Sequence, residues 1–197
     1  QGCGIHSFVV NVHHFANQIV QYLQNQWSET EVAISDETDA LLETGGAIKK
    51  AQPLLGNESF LIHNVDILSN ADVMALMQLH HQQKAAATLL VSQRKSSRYL
   101  LFDEQMRLKA WTNTQTGQVK TPYKNLDIST LKPYAFSGIH GFSPVLFDAM
   151  QNYPDKFSII DFYLDQCLNY PIYGYEQPDL KLLDVGKLDS LKQAENF

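Results

Sequence analysis

The run Phe60-Leu61-Ile62-His63-Asn64-Val65-Asp66-Ile67-Leu68 is largely apolar and delivers a carboxylate near its end. In an open α/β sheet, ligands sit beyond the carboxyl ends of the strands, so an aspartate placed there points at the crevice rather than at the core. Asp184 has the same setting, following the apolar stretch from Leu180 to Leu183. Mg²⁺ is usually bound through one or two carboxylates plus substrate phosphates and water, so this pair would suffice as its protein ligands. Either aspartate alone reads as a cap of the following helix or turn. The two together, with Gly45-Gly46 upstream, favour a metal-bound phosphate.

Gly45-Gly46 opens a helix. Without a Cβ in the way, a planar base or ribose can approach the backbone, and free N–H groups at the helix start can donate to it. The pair is not a Walker loop, because no Gly-Lys-Ser/Thr follows, and no Gly-x-Gly-x-x-Gly fingerprint occurs.

These residues need elements to hold them. Phe8 to His13 reads as a buried strand, and Phe15 to Trp27 as a helix with Phe15, Ile19, Tyr22 and Leu23 on one face. Strands at 32–35, 60–64 and 86–91 alternate with helices at 46–55 and 72–84, and Pro53 ends the first of these helices early. This alternation argues for βαβ units and a parallel sheet. Tyr99 to Phe102 and Leu108 to Trp111 then read as a hairpin around the polar 103–107, followed by a mobile loop or flap over 112–132. A strand at 134–142, helices beginning at Ser143-Pro144 and Ser158, strands at 172–176 and 180–183, and a last helix from Leu188 complete the chain. The expected architecture is α/β: a Rossmann-like, mixed but mostly parallel sheet with helices on both faces, forming one domain over residues 1–197.

Composition narrows the function. The 197 residues are 44% hydrophobic and carry a net charge of −6, and their 15 lysines and arginines are scattered, which gives no nucleic-acid footprint. The longest apolar run, Ala85 to Val91, is far below the ~18 residues of a membrane helix. Cys3 and Cys167 offer neither a disulfide framework nor paired metal-ligand spacing and fit a reducing compartment. The protein is expected to be soluble and cytoplasmic.

Thr44-Gly45-Gly46-Ala47-Ile48-Lys49, the 60–68 segment, Phe136-Ser137-Gly138-Ile139 with Ser143-Pro144, and Leu183-Asp184-Val185-Gly186 resemble, in order and spacing, the sugar-1-phosphate nucleotidyltransferases. Together with Val9-Val10-Asn11-Val12-His13-His14-Phe15-Ala16, they are most similar to the mannose-1-phosphate guanylyltransferase-like and N-acetylmuramate-1-phosphate uridylyltransferase branch. The resemblance implies that a sugar-1-phosphate oxygen attacks the α-phosphorus of a nucleoside triphosphate, giving a nucleotide-sugar and pyrophosphate for cell-envelope polysaccharide. It also implies that Asp66 and Asp184 hold Mg²⁺, that Gly45 and Gly46 contact the base or its ribose, and that Gly138 lines the sugar pocket.

Two departures bear on activity. The family's glycine-rich loop with its Arg, and the Pro-Lys pair after it, would precede Gln1. The Glu-Lys-Pro motif near the sugar phosphate is replaced by Lys109-Ala110-Trp111-Thr112-Asn113, in which Lys109 could substitute as the sugar-phosphate cation. The 197 residues alone are therefore expected to be inactive or very weak, and an N-terminally extended form active. The alternative is a noncatalytic sugar-nucleotide-binding or regulatory domain of the same fold. A glycosyltransferase would carry Asp-x-Asp where Asn64-Val65-Asp66 stands. Among the other polar candidates, the pairs His13-His14 and His80-His81 point different ways and suit no common ion. His63 and Cys167 read as core residues, and His140 as structural.

Overall fold

The computed structural model describes residues 5–26, 31–186, 194, 195 and 197. The chain divides into two compact units, residues 1–58 with 145–163, and residues 59–144 with 164–197.

In the first unit, β1 (Ser7–Val12) and β2 (Glu31–Asp36) pair in parallel in full register, with Val12 opposite Asp36. α1 (Ala16–Gln26) follows β1 but buries only Ala16 among its residues and leaves Phe15 75% exposed, so the apolar stripe read from the sequence is not covered here. α2 (Glu43–Ala51) is cut short and continues as a 3-10 turn, Gln52–Leu54, which holds Pro53, as expected of a residue that cannot donate within a helix. α4 (Leu146–Met150) and the start of α5 (Ile159–Gln166) belong to this unit. Its core includes Val12, Ile48, Ala51, Phe147 and Met150, with the rings of Tyr153, Phe157 and Phe162 packed on one another. The buried Glu37 accepts a hydrogen bond from the Asn11 amide, which ties the loop after β2 to β1.

The second unit is built on β9 (Lys132–Phe142), the longest strand. On one edge β9 pairs with β5 (Ala87–Ser92), and β5 pairs in parallel with β10 (Ile172–Glu176). On its other edge β9 pairs first with β6 (Arg98–Phe102), which carries β7 (Leu108–Asn113) and β8 (Val119–Lys120), and then with β3 (Phe60–His63). α3 (Val73–Gln82) starts at Asp72, whose carboxylate caps the Ala75 N–H. β4 (Ile67–Ser69) pairs with β11 (Leu182–Asp184) as a separate ribbon. Leu76 from α3, Leu90 from β5 and Ile139 from β9 form a core cluster with Leu61, Ile67 and Met77 around them.

The mixed α/β class and the central sheet match expectation, but the pairing differs. Among the described residues only β1–β2 and β5–β10 are parallel, and every other ladder is antiparallel. The strand–helix alternation was the misleading signal: β3 and β5 both pair with β9, which runs against them, so the helix between them does not join two parallel neighbours. The 99–111 hairpin forms as expected, and the 112–132 segment holds β8 and a 3-10 turn at Ile128–Thr130. The helix expected from Leu188, and Cys3, lie outside the described residues. No described helix is long and apolar enough to cross a membrane.

Candidate active site

Asp66 lies in the turn between β3 and β4, and Asp184 is the last residue of β11. The β4–β11 ladder sets Asp184 opposite Ile67, next in the chain to Asp66. Val185 N–H donates to the Asp66 carbonyl at 2.8 Å, and Gly186 N–H to Asp184 Oδ1 at 2.9 Å. A Cβ built on Gly186 would lie 3.1 Å from Asp66 Oδ2 and 3.2 Å from Asp184 Oδ1. One oxygen of each carboxylate therefore lies beside the exposed Gly186, where an added methyl would press on both. This donor set suits a hard divalent cation that completes its shell with phosphate and water. No cluster of three or more candidate ligands occurs among the described residues, which offer this pair.

Gly138 stands beside it. Between Leu89 and Val91 the β5–β9 register shifts, with Leu89 opposite His140 but Val91 opposite Phe136, so β9 carries extra residues at Ser137–Ile139. Gly138 takes φ +77° inside this bulge, a conformation that favours glycine. The Asn64 side chain covers it, 3.0 Å from where a Cβ would be, and Asn64 N–H donates to the Gly138 carbonyl at 3.0 Å. On the chain side away from Ile139, Arg94 Nη2 donates to the Phe136 carbonyl at 3.0 Å, and Arg94 makes no ion pair among the described residues. Between those two contacts lies Ser137, buried and with its hydroxyl unpartnered among the described residues.

Lys109 is placed differently. Its ammonium forms an ion pair with Asp103 at 3.2 Å and sits 4.7 Å from the centre of the Tyr123 ring. Ala110 and Pro133 are both opposite Leu101, which puts Lys109 at the β9 end remote from Gly138, roughly 15–20 Å along the strand. The substitution of Lys109 for the sugar-phosphate cation thus meets a side chain already engaged elsewhere.

Gly45 and Gly46, in the first unit, lie in the first turn of α2, and both N–H groups donate to the Phe157 carbonyl, at 3.0 and 3.4 Å. A Cβ on Gly45 would meet the Phe157 ring at 2.4 Å, and one on Gly46 the Asp155 carbonyl oxygen at 1.9 Å. The expected free donors are in use, and close backbone approach by 155–157 accounts for the pair.

The histidines divide. His63 is exposed rather than packed, because it ends the short β3 with its Nδ1 next to the Asn64 carbonyl. His80 is buried, with Nδ1 3.0 Å from Thr88 Oγ1 and Nε2 2.9 Å from Ser143 Oγ. Ser143 donates to the Ala85 carbonyl, so it accepts from His80 Nε2–H, and Nδ1 accepts from Thr88. Burial, reinforced by His81, pushes His80 down to about 4, and burial pushes His140 down to about 3, so both are held neutral. Cys167 is buried, and its thiol is pushed up to about 11 by burial, which makes it a core residue rather than a nucleophile.

Sequence reasoning missed Gly186 as the opening between the carboxylates, Asn64 as the cover of Gly138, and Arg94 as the cation on the β9 bulge. The Asn64-Val65-Asp66 and Asp184-Val185-Gly186 triplets held the signal for the first two.

No family model matches the sequence. A stretch of 65 residues is 38% identical to the N-acetylmuramate alpha-1-phosphate uridylyltransferase of Caulobacter vibrioides, covering 32% of this chain and only 27% of that protein. The fold matches that of HddC from Yersinia pseudotuberculosis, solved in complex with GMP-PN, at a TM-score of 0.74 and 17% identity over 98% of this chain and 79% of that one. It also matches the inositol-1-phosphate CTP transferase from T. maritima, at a TM-score of 0.72 and 13% identity over 98% and 76%. The chain therefore shares the fold of these two proteins.

Proposed function

We propose that this chain is a nucleotidyltransferase that joins a sugar-1-phosphate to the nucleotidyl part of a nucleoside triphosphate. The observation that carries the reading is the approach of Asp66 and Asp184 beside Gly186 on a fold shared with an inositol-1-phosphate CTP transferase. A phosphate oxygen of the sugar-1-phosphate would attack the α-phosphorus, the bond to the β-phosphate oxygen would break, and pyrophosphate would leave, with no covalent bond to the protein. Mg²⁺ held by Asp66 and Asp184 would neutralise charge on the phosphate oxygens. The rest is positioning. Gly138 offers the β9 bulge as a wall of the sugar pocket, where the Asn64 amide can bond a hydroxyl. Arg94, rather than Lys109, supplies a fork of N–H donors to an anionic oxygen. Gly45 and Gly46 act through packing against 155–157. We place this chemistry in the cytoplasm, where nucleoside triphosphates are available, as a step of nucleotide-sugar biosynthesis for envelope polysaccharide; the similarity to the Caulobacter vibrioides protein supports that setting.

The test is pyrophosphate release from each nucleoside triphosphate with N-acetylmuramate, N-acetylglucosamine or mannose 1-phosphate, with and without Mg²⁺. With an N-terminally extended form, one pairing should release pyrophosphate and Asp184→Asn should abolish it, whereas the 197 residues alone should release little or none. A second reading, a noncatalytic sugar-nucleotide-binding domain, is favoured by the engagement of Lys109 with Asp103. Mg²⁺-dependent binding of a nucleotide-sugar without pyrophosphate release from any pairing, in the extended form as well, would select it.

A further inference from the structure

The β4–β11 ribbon that brings Asp184 to Asp66 has only three residue pairs: Ser69 with Leu182, Leu68 with Leu183, and Ile67 with Asp184. So short a ladder specifies its register weakly, and a slip of one residue would move Asp184 by ~3.4 Å and turn its side chain to the other face. Mg²⁺ demands near-ideal octahedral geometry at ~2.0–2.1 Å, so such a slip would remove one of the two carboxylates from the site. Ile67 and Leu180, packed on the Leu76–Leu90–Ile139 cluster, favour one face, and polar contacts past the end of the ladder add to that.

Immediately past Ser69, Asn70 meets the incoming chain of β11 at several atoms. Its Oδ1 accepts the Lys181 N–H at 2.7 Å, its Nδ2 donates to the Asp179 carbonyl at 3.2 Å, and its own N–H reaches the Lys181 carbonyl at 3.4 Å. Gln177 closes the other side: its Nε2 donates to the Asn70 carbonyl at 3.1 Å, and its Oε1 accepts the Asp72 N–H at 2.8 Å. The side-chain amide of Asn70 thus imitates one more rung of ladder, and Asp179, at φ +57°, folds the turn that presents those groups. These partners satisfy the backbone only when Lys181 lies beside Asn70, which is the register that sets Asp184 opposite Ile67.

We propose that Asn70, braced by Gln177, is a positioning residue that locks the register of β11 and thereby holds the Asp184 carboxylate against Asp66. The consequence for metal binding rests on the reading of that pair as an ion site, whereas the register itself does not.

The experiment uses the full chain and two measurements. The Val185 N–H, bonded to the Asp66 carbonyl at the far end of the ribbon from Asn70, reports the register by hydrogen exchange. Mn²⁺ binding, followed by electron paramagnetic resonance, reports the carboxylate pair. In Asn70→Ala, Val185 should lose at least about tenfold in protection and Mn²⁺ affinity should fall about 10- to 100-fold, while amides of β5 and β9 keep their protection. Asn70→Asp, which retains the acceptor for Lys181 but not the donor for Asp179, should fall between. His80→Gln perturbs the core of the same unit without touching the ribbon, and should leave Mn²⁺ affinity within twofold of wild type. Val185 protection and Mn²⁺ affinity both within twofold of wild type in Asn70→Ala would overturn the proposal. So would a uniform loss of protection across β5, β9 and Val185, which would mark ordinary destabilisation. Absence of Mn²⁺ binding in the wild type would instead remove the ion site, and the Val185 result would still decide the clamp.

Discussion

Acid should destabilise the second unit well before its carboxylates protonate, and His80 should carry about half of the effect. The ring is 1% exposed, and its neutral form is written into the bonding: Nε2–H to Ser143, Nδ1 from Thr88. An ordinary histidine titrates at 6.5, whereas burial holds His80 at about 4 and His140 at about 3. For a histidine whose folded pKa is depressed, the unfolded chain binds the proton first. The stabilisation is therefore complete above pH 6.5 and is lost as pH falls through the window from 6.5 towards 4. Each such group contributes a slope of about 1.4 kcal/mol per pH unit inside that window. Between pH 7.5 and 5 each histidine should lose about 2 kcal/mol, or about 4 kcal/mol together, a large share of a typical stability of about 5–15 kcal/mol.

The assay is urea unfolding at pH 7.5, 6.5, 5.5 and 5.0, followed by Trp111 fluorescence in a Trp27→Phe background, because Trp111 lies in the same unit as His80. His80→Gln keeps a polar amide in the pocket but cannot titrate. It should start from a lower stability, having lost part of the Thr88–Ser143 network, yet lose only about 2 kcal/mol over the same pH interval. The reasoning is refuted if wild type loses under about 1 kcal/mol between pH 7.5 and 5, or if His80→Gln loses as much as wild type.

Three further outcomes follow from the same geometry. Gly186→Ala places a methyl 3.1 and 3.2 Å from the two carboxylates and should weaken Mn²⁺ binding by about tenfold while shifting the unfolding midpoint little, as calorimetry and thermal melts would show. Gly46→Ala gains about 1 kcal/mol of helix propensity but drives its Cβ into the Asp155 carbonyl. Net destabilisation of at least about 2 kcal/mol is expected, against near-neutrality for Gly56→Ala, which has open space around it. Lys109→Met should cost about 1–2 kcal/mol of stability through the Asp103 pair and the Tyr123 ring, yet leave the Kd for N-acetylglucosamine 1-phosphate within twofold, while Arg94→Met raises that Kd about tenfold. The reverse pattern would return Lys109 to the sugar site.

Much of the local structure was legible because it depends on neighbours in sequence. The β6–β7 hairpin, the cap at Asp72 and the early end of α2 at Pro53 each follow from residues a few positions apart. Pairing with β9 was not legible. Nothing in 60–63 or 87–92 states that both will lie against a strand some fifty to eighty residues later, and the helix between them mimics a parallel crossover. Side-chain fates failed for the same reason. Lys109 reads as an available cation until Asp103 and Tyr123, brought in by the hairpin and the loop beyond it, claim its charge.

The carboxylate pair shows where sequence reasoning reaches furthest and what it lacks. Two aspartates more than a hundred positions apart could be matched by setting alone, since each ends an apolar stretch. What makes them a pair is a ladder of three residues, too short to be read from any pattern, together with a glycine that matters because of what its side chain would displace. The polar residues around that ladder, Asn70 and Gln177, look like ordinary loop composition in the sequence. Their bonds in the structure decide whether Asp184 faces Asp66 or turns away. A site assembled at a weak ladder therefore needs its determinants sought among the loop amides that fix register as well as among the ligands, and substitution of Asn70 with both carboxylates intact is the most direct way to separate the two.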